Sequence, residues 1–187
     1  MTIRYNRKDR SGVLHYLTLA IRERRHAFTR KFFSEMALRT LREQCDSHPA
    51  KLIAYVVMPD HIHAIINPRN GSCEQFLSHF KPQVTNAMTS LSSHEGYHAI
   101  LSWLAMPDGH MQLWQEGKHD FYLYNQRIIW QKIDYIHNNP IRAGLVRSAG
   151  QYPYSSFRAW YSGYGEAIVP VDKDFWWDDI PIEDEGN

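Results

Sequence analysis

The chain has 187 residues, enough for one sizeable core, and nothing in it demands a second domain of comparable size. A hydrophobic fraction of 43% and a charged fraction of 22% are ordinary for a soluble globular protein. No apolar run approaches the roughly 18 residues of a membrane span, and the first residues lack the apolar core of a signal peptide. We therefore expect no membrane partner.

Charge divides the chain into a basic body and an acidic end. Residues 1–170 carry 20 Lys and Arg against 13 Asp and Glu, a net charge of +7. Residues 171–187 carry seven acidic side chains and one lysine. A basic body suits a polyanionic partner. The acidic tail is either a solvated end or a segment that competes with that partner for the basic surface.

The two cysteines, Cys45 and Cys73, have no CxxC spacing and lie in stretches with helical character. This usage is typical of a reduced, cytoplasmic protein rather than of a disulfide scaffold.

The first half of the chain predicts three strands and one helix. Residues 14–22 alternate apolar and polar side chains, as in a half-buried strand. A helix is predicted over 29–48, where apolar residues recur at near-helical spacing. Two strands, 51–58 and 61–67, follow and are joined by a tight turn at Pro59-Asp60.

The second half predicts further helices with proline boundaries. Residues 72–91 indicate a helix, with Pro82 either kinking it or near its first turn. We predict a loop over 92–112 and a short strand in "MQLWQ", which ends at Gln115. From 119 a strand or loop passes into a helix of about fifteen residues that ends before Pro140. Beyond Pro153 we predict a surface-packed tail. Strands interleaved with helices indicate an α+β fold, with helices packed on an antiparallel β-sheet.

The first chemical signal is "MPDHIHAIIN", which begins at Met58 and follows an apolar strand. Alternate residues of a strand point the same way, so His61 and His63 project from one face, about 7 Å apart along the strand. Asp60 and Ile62 point to the other face. Two interpretations remain open for the histidines: a shared metal ion, or polar side chains satisfied by ordinary hydrogen bonds.

The second signal is "DYIHNNPIRAGLV", which begins at Asp134. Tyr135 and Asn139 are four residues apart and share one helical face. Two imidazoles, one amide oxygen and open positions would suit Mg²⁺ or Mn²⁺. Taken alone, Tyr135 could equally be a core aromatic, and Asn139 could be an ordinary residue near a helix end.

Together, "YVVMPDHIHAIIN", "WQ" and "YIHNNPIRAGLV" resemble the HUH single-tyrosine transposases, and more narrowly the REP-associated tyrosine transposases. The resemblance implies that His61, His63 and Asn139 bind the divalent metal and that Tyr135 is the catalytic nucleophile. It also implies one catalytic domain over 1–170, of the ferredoxin-like or HUH palm type, with the tyrosine on a helix packed against the sheet. Two stretches depart from the family pattern: a usual Tyr-Asp pair reads His119-Asp120, and 92–112 has no clear counterpart.

The implied reaction is breakage and rejoining of single-stranded DNA at an imperfect-palindrome hairpin of the REP type. A tyrosine hydroxyl has a pKa near 10 and is a weak nucleophile at neutral pH, so the metal ion is needed to activate the phosphate. Attack by Tyr135 would leave a 3′-hydroxyl and a 5′-phosphotyrosine. That bond preserves the phosphodiester energy, so a second 3′-hydroxyl can reverse the step without ATP.

Basic and aromatic residues supply candidate DNA contacts. Phosphate oxygens would be bound by arginines and a lysine, and unpaired bases could stack on a tryptophan. The candidates are Arg4, Arg7, Arg22, Arg24, Arg25, Lys81, Arg142, Arg147 and Trp114. Each of these cations could instead be a solvated surface charge, and the tryptophan could belong to the core.

Two other functions compete with this interpretation. A hydrolase of the amidohydrolase type also uses an HxH at a strand end, but its eight-stranded barrel needs about 250 residues. A DNA-binding regulator that has the same fold and lacks activity would be expected to have lost one of the four motif residues. We expect a monomer rather than a homodimer, associated with the nucleoid in a bacterial cytoplasm.

Overall fold

The computed structural model describes residues 13–48, 50–69, 72–91, 96–97, 102–117 and 119–174. The main elements, in chain order, are β1 (Leu14–Ala20), α1 (Lys31–Ser47), β2 (Lys51–Met58), β3 (His61–Asn67), α2 (Cys73–Ser90), β4 (His119–Leu123), α3 (Gln126–Arg142) and α4 (Phe157–Trp160). Up to β4 this is the order of the β-α-β-β-α-β unit of ferredoxin-like folds. Within the described ranges, no helix is long and apolar enough to cross a bilayer.

The four strands form one antiparallel sheet in the order β2-β3-β1-β4, so the predicted α+β fold is confirmed. Side chains alternate between the two faces of each strand. On β1, Leu17 and Leu19 pack with α1 and α2, whereas Leu14 and Tyr16 pack with α3. Both faces of the sheet are therefore covered, with two helices on one side and α3 on the other.

Coverage of both faces corrects the prediction of a half-buried first strand. β1 ends at Ala20, and its polar residue His15 is fully buried. Ile21 does not continue the strand but forms a single bridge with Trp114. The strand predicted to end at Gln115 is also wrong. In that part of the described chain, Met111 and Trp114 each make one isolated bridge and no strand forms.

Two prolines lie inside helices rather than at their boundaries. Pro82 sits in the middle of α2, not in its first turn. The prediction that α3 ends before Pro140 is wrong, because the helix continues to Arg142. Proline lacks the N–H that would bond to the carbonyl four residues earlier, and its ring crowds that carbonyl, so packing of the helix must offset this cost. The Ala143 N–H still donates to the Asn139 carbonyl over 2.9 Å, which keeps the helical path.

The segment after Pro153 pairs with the outer edge of β2, so it is more than a surface-packed tail. The Val57 N–H donates to the Tyr154 carbonyl, and the Ser156 N–H donates to the Tyr55 carbonyl, both over 2.9 Å. Ser156 is fully buried. An exposed edge strand presents unpaired backbone groups that invite aggregation. This segment occupies them along β2.

Only the first residues of the predicted acidic tail, 171–174, lie within the described part of the chain. The Asp172 carboxylate accepts from the Leu52 N–H over 2.9 Å, and Asp174 pairs with Lys51 over 2.9 Å. Both contacts are at the start of β2, roughly 20 Å from the end where β3 begins. The boundary at 170/171 and any competition with DNA stay predictions, but the tail begins at the end of the sheet away from His61.

His137 fastens α3 to the C-terminal segment. Its Nε2 lies 2.9 Å from the Ser156 hydroxyl, and its ring contacts Phe157 with centroids 5.5 Å apart. Among the described residues, no hydrogen-bond partner reaches its buried Nδ1. Burial lowers the pKa of His137 to about 4, because a charged imidazolium would lose its hydration there.

We predict that acid weakens the fold through His137. Its pKa is 6.5 in a solvated chain and about 4 in the folded protein, so the unfolded state binds more protons between those values. The free energy of unfolding should therefore fall by about 1 kcal/mol per pH unit as the pH drops from 6.5 to 4. Urea unfolding across this range should show a flatter profile for His137→Gln. The same change at exposed His26 should leave the slope as it is, and equal slopes in all three proteins would contradict the assignment.

Candidate active site

His61 and His63 begin β3 and point to the face of the sheet that α3 covers. Their ring centroids are 4.6 Å apart, in an edge-to-face arrangement. His63 is buried and His61 is largely buried, with 14% of its side chain exposed. The predicted projection of both rings from one face is therefore found in the structure.

His61 is held by the residue before it. The Asp60 carboxylate lies 2.6 Å from His61 Nδ1, and Arg24 lies 3.3 Å from the same carboxylate. Burial alone would raise the pKa of Asp60, but the hydrogen bond to His61 and the charges of His61 and Arg24 hold it below its usual range. Burial lowers the pKa of His61. With Nδ1 engaged by the carboxylate, His61 would bind a metal ion through Nε2.

His63 is held by two hydroxyl groups of β1. The hydroxyls of Tyr16 and Thr18 each lie 2.9 Å from His63 Nδ1. Burial, followed by the charge of His61, lowers the pKa of His63 to about 3, so the ring is neutral at physiological pH. A neutral imidazole is the form that binds metal ions. Since both hydroxyls contact Nδ1, Nε2 is again the atom for a metal ion.

Tyr135 lies on α3 beside these rings. Its ring centroid is 5.5 Å from that of His63 and 6.3 Å from that of Tyr16. The residue is half-buried, whereas Tyr16 is 3% exposed and burial raises its pKa. Two tyrosines therefore reach the histidines, and Tyr135 is the one with access to a large ligand.

Two cations flank Tyr135. The Arg142 guanidinium is 4.9 Å from the centroid of the Tyr135 ring, and Lys132 Nζ is 5.7 Å from it. Lys132 Nζ is also 4.7 Å from the Tyr16 ring. Positive charge this close to the Tyr135 ring suits a phosphate group, since charge-assisted hydrogen bonds are the strong ones.

Asn139 lies one helical turn beyond Tyr135 on the same face and is 8% exposed. Among the described residues, no hydrogen bond joins its side chain to His61 or His63. Two neutral imidazoles with available Nε2 atoms fit a divalent ion, and the amide oxygen of Asn139 is of a chemical type that Mg²⁺ and Mn²⁺ accept. Its role as a third ligand stays a prediction.

The predicted DNA contacts differ in how available they are. Arg142 stands beside Tyr135, and Arg147 is exposed. Arg24 is bound to Asp60, and Arg25 pairs with Glu23 over 2.9 Å. Lys81 is half-buried on α2. Arg4 and Arg7 lie outside the described residues.

Two of the predicted contacts have internal partners. Arg22 donates to the Met106 sulfur and to the Trp103 carbonyl. Trp114 is 7% exposed, its ring lies 6.0 Å from that of Phe80, and its indole N–H donates to the Lys81 carbonyl over 3.0 Å. The prediction that Trp114 stacks on unpaired bases is therefore corrected, because core packing uses its ring. An indole whose N–H finds a partner is stable in a core.

Four residues of the site escaped the sequence analysis. Lys132 is three residues before Tyr135, and this helical spacing could have found it. Asp60 directly precedes His61, and strand alternation predicted that its side chain points to the opposite face. That prediction failed because Asp60 lies in the turn before β3, where side chains do not follow the strand period. Tyr16 and Thr18 are more than forty residues from His63, and only the pairing of β1 with β3 brings them there.

Comparisons with known proteins agree with this geometry. A family model described as "Transposase IS200 like" matches residues 11–138. A Haemophilus influenzae protein assigned to the REP-associated tyrosine transposases is 22% identical over 160 residues, covering 82% of this chain and 84% of that protein. The REP-associated tyrosine transposase of Escherichia coli is 23% identical over 168 residues, covering 90% and 88%.

The fold is also found among solved structures. One of them shows a REP-associated tyrosine transposase bound to a REP hairpin and matches with a TM-score of 0.66 at 20% identity, covering 98% of this chain and all of the other. At this identity the likeness establishes the fold. With the family model and the two relatives, it confirms the resemblance drawn from the motifs.

We predict that Asp60 positions His61 for a metal ion. Asp60→Asn replaces the carboxylate that engages Nδ1, so the affinity for Mn²⁺ should fall by about 10- to 100-fold, the usual effect of losing such a partner. Isothermal titration calorimetry measures this directly. Asp108→Asn is the matched control, because Asp108 pairs with His110 at an exposed site. Wild-type Mn²⁺ affinity in Asp60→Asn would contradict the role.

Proposed function

Because the chain belongs to the IS200-like transposase family, we propose that it breaks and rejoins single-stranded DNA at a REP-type hairpin. The observation that carries this proposal is the meeting of His61, His63 and Tyr135 on one face of the sheet. These residues come from two elements separated by a long stretch of chain. If Tyr135 only packed in the core, no histidine pair would be expected beside it. If the histidines only made ordinary hydrogen bonds, no partly exposed tyrosine would be expected beside them.

His61 and His63 would hold the divalent ion, Mg²⁺ or Mn²⁺, through their Nε2 atoms, with Asn139 as the third ligand. When bound, the ion would polarise the scissile phosphate and offset the negative charge that grows in the transition state. The protein's own contribution is to keep both imidazoles neutral and oriented. Burial keeps both rings neutral by lowering their pKa values. Asp60 orients His61, and the hydroxyls of Tyr16 and Thr18 orient His63.

Tyr135 would attack the phosphorus in line. A bond forms between its Oη and phosphorus, the bond from phosphorus to the 3′-oxygen breaks, and the phenolic proton is lost while the leaving oxygen gains one. The products are a 3′-hydroxyl and a 5′-phosphotyrosine. Attack by another 3′-hydroxyl on the phosphotyrosine reverses this exchange of bonds, joins the strands and restores the tyrosine.

Lys132 and Arg142 would stabilise the phosphate during both steps. Each lies within 6 Å of the centroid of the Tyr135 ring. Fixed positive charge beside the reacting group lowers the energy of the more negative transition state without any rearrangement. Lys132 is therefore added to the residues proposed from sequence.

The proposed partner is hairpin DNA with single-stranded sequence beside it. Support comes from the solved relative, whose DNA is a REP hairpin, and from the net positive charge of residues 1–170. Exposed cations such as Arg147 and Arg25 would bind phosphates. We further propose a monomer that works on nucleoid DNA in the bacterial cytoplasm.

A hairpin-binding regulator without activity is the competing function. It would use the same basic surface and the same fold. The two proposals differ only in whether a covalent bond to DNA forms.

We predict that the protein forms a covalent adduct in Mn²⁺ with REP-type hairpin oligonucleotides labelled at the 3′ end, and that Tyr135→Phe abolishes it. A denaturing gel with labelled DNA detects the adduct. Tyr164→Phe is the matched control, because Tyr164 is an exposed tyrosine whose ring contacts Phe157 rather than the histidines, so its adduct should persist. An adduct that survives Tyr135→Phe would overturn the nucleophile. Hairpin binding without any adduct would favour the regulator.

A second prediction separates neighbouring asparagines. Asn139→Ala should weaken Mn²⁺ binding and slow adduct formation by about tenfold or more, as for loss of one metal ligand. Asn138→Ala is the control, because Asn138 is exposed and only donates to the Asp134 carbonyl in its own helix. Equal adduct rates in the two variants would remove Asn139 from the proposed site.

A further inference from the structure

A second group of potential metal ligands lies on the other face of the sheet. His15 and Leu17 alternate with Tyr16, so they point toward α1 and α2 rather than toward α3. Asp120 of β4 is the register partner of Leu17 and shares that face. Cys73, the first residue of α2, belongs to the same buried cluster as Leu17. Strand pairing and the packing of α2 thus bring an imidazole, a carboxylate and a thiol together.

The geometry of these three side chains suits one ion. One ligand atom from each of His15, Cys73 and Asp120 lies within 4.8 Å of the other two. His15 Nδ1 and an Asp120 oxygen are 3.0 Å apart. His15 and Cys73 are fully buried, and 11% of the Asp120 side chain is exposed. Asp120 therefore marks the side from which an ion can enter.

We propose that His15, Cys73 and Asp120 bind a structural Zn²⁺ ion, separate from the ion of the proposed transposase site. Nitrogen, sulfur and carboxylate oxygen are the ligands that Zn²⁺ takes in proteins, and a water molecule completes four-coordination. A thiolate, a carboxylate and a neutral imidazole total two negative charges, which a dication cancels. Cancellation matters because an uncompensated charge in a core is costly.

The position of Cys73 supports the thiolate. It is the first residue of an 18-residue helix, and the preceding Ser72 caps that helix by accepting from the Gln75 N–H over 2.9 Å. The N-terminal end of a helix favours negative charge, so it stabilises a thiolate that is bound to a metal ion there. Metal binding at this thiolate displaces its proton to solvent, so no other reactant is required.

The site's burial argues for structure rather than catalysis. A cysteine, histidine and aspartate could form a nucleophilic group, but a substrate cannot reach two fully buried side chains. A bound ion would instead fasten β1, the edge strand β4 and the start of α2 to one another. β4 is followed by Asn125, whose side chain caps α3 by accepting from the Ile128 N–H. The ion would thereby steady the helix that carries Tyr135.

Titration of the full-length protein with Co²⁺, after chelator treatment, tests the site. Co²⁺ bound by a thiolate gives a sulfur-to-cobalt charge-transfer band in the near ultraviolet, and His61 and His63 have no sulfur partner. The band should appear in the wild type, persist in His61→Ala/His63→Ala and disappear when Zn²⁺ is added. This outcome is independent of DNA cleavage, so the two proposals can fail separately.

Cysteine variants locate the ion. Cys73→Ser should lose the band, while Cys45→Ser should keep it, because Cys45 is the other buried cysteine and lies in α1 outside the cluster. Should Cys73→Ser fail to fold, Asp120→Asn decides the matter. It changes a partly exposed residue and should weaken Co²⁺ binding by about tenfold or more. A wild type without the band, a band retained by Cys73→Ser, or unchanged affinity in Asp120→Asn would show that His15 and Asp120 form an ion pair only.

Discussion

The pairing of β1 with β3 is the constraint on which the rest of the structure depends. In this antiparallel register Thr18 faces His63 and Ala20 faces His61. Because of this register, hydroxyl groups contact His63, whereas the small side chain of Ala20 lies opposite His61. A slip of one residue would reverse the faces of every side chain on β1. Tyr16 would then leave His63, and His15 would take its place.

Burial gives these polar groups their chemical character. Helices on both faces remove water from the strands, so the histidines stay neutral and their hydrogen bonds must come from the protein. Tyr16, Thr18 and Asp60 supply those bonds. The positive charges stay at the rim, on Lys132 and Arg142, where a phosphate can approach. Neutral imidazoles inside and cations outside suit the proposed metal ion and the proposed polyanionic substrate.

The same alternation of side chains explains why one sheet can carry two separate groups of candidate metal-binding residues. Tyr16 and His63 belong to the face covered by α3, whereas His15 and Asp120 belong to the face covered by α1 and α2. The remaining weakness, the outer edge of β2, is closed by residues 154–156 and by Asp172. The C-terminal segment thus belongs to the fold for structural reasons, whatever the acidic residues beyond it do.

Local patterns in the sequence determined most of the elements and the motif residues. Strand alternation placed His61 and His63 on one face, helical spacing placed Tyr135 and Asn139 on another, and each depends only on neighbours in the chain. The tertiary structure alone decided which groups surround them. Strand register brought Tyr16 and Thr18 to His63, and the covering of both faces buried His15 and Trp114. It also let α3 run past Pro140, because packing of the helix outweighs one lost hydrogen bond. Contacts between distant residues depend on register and on helix packing, which no local period encodes.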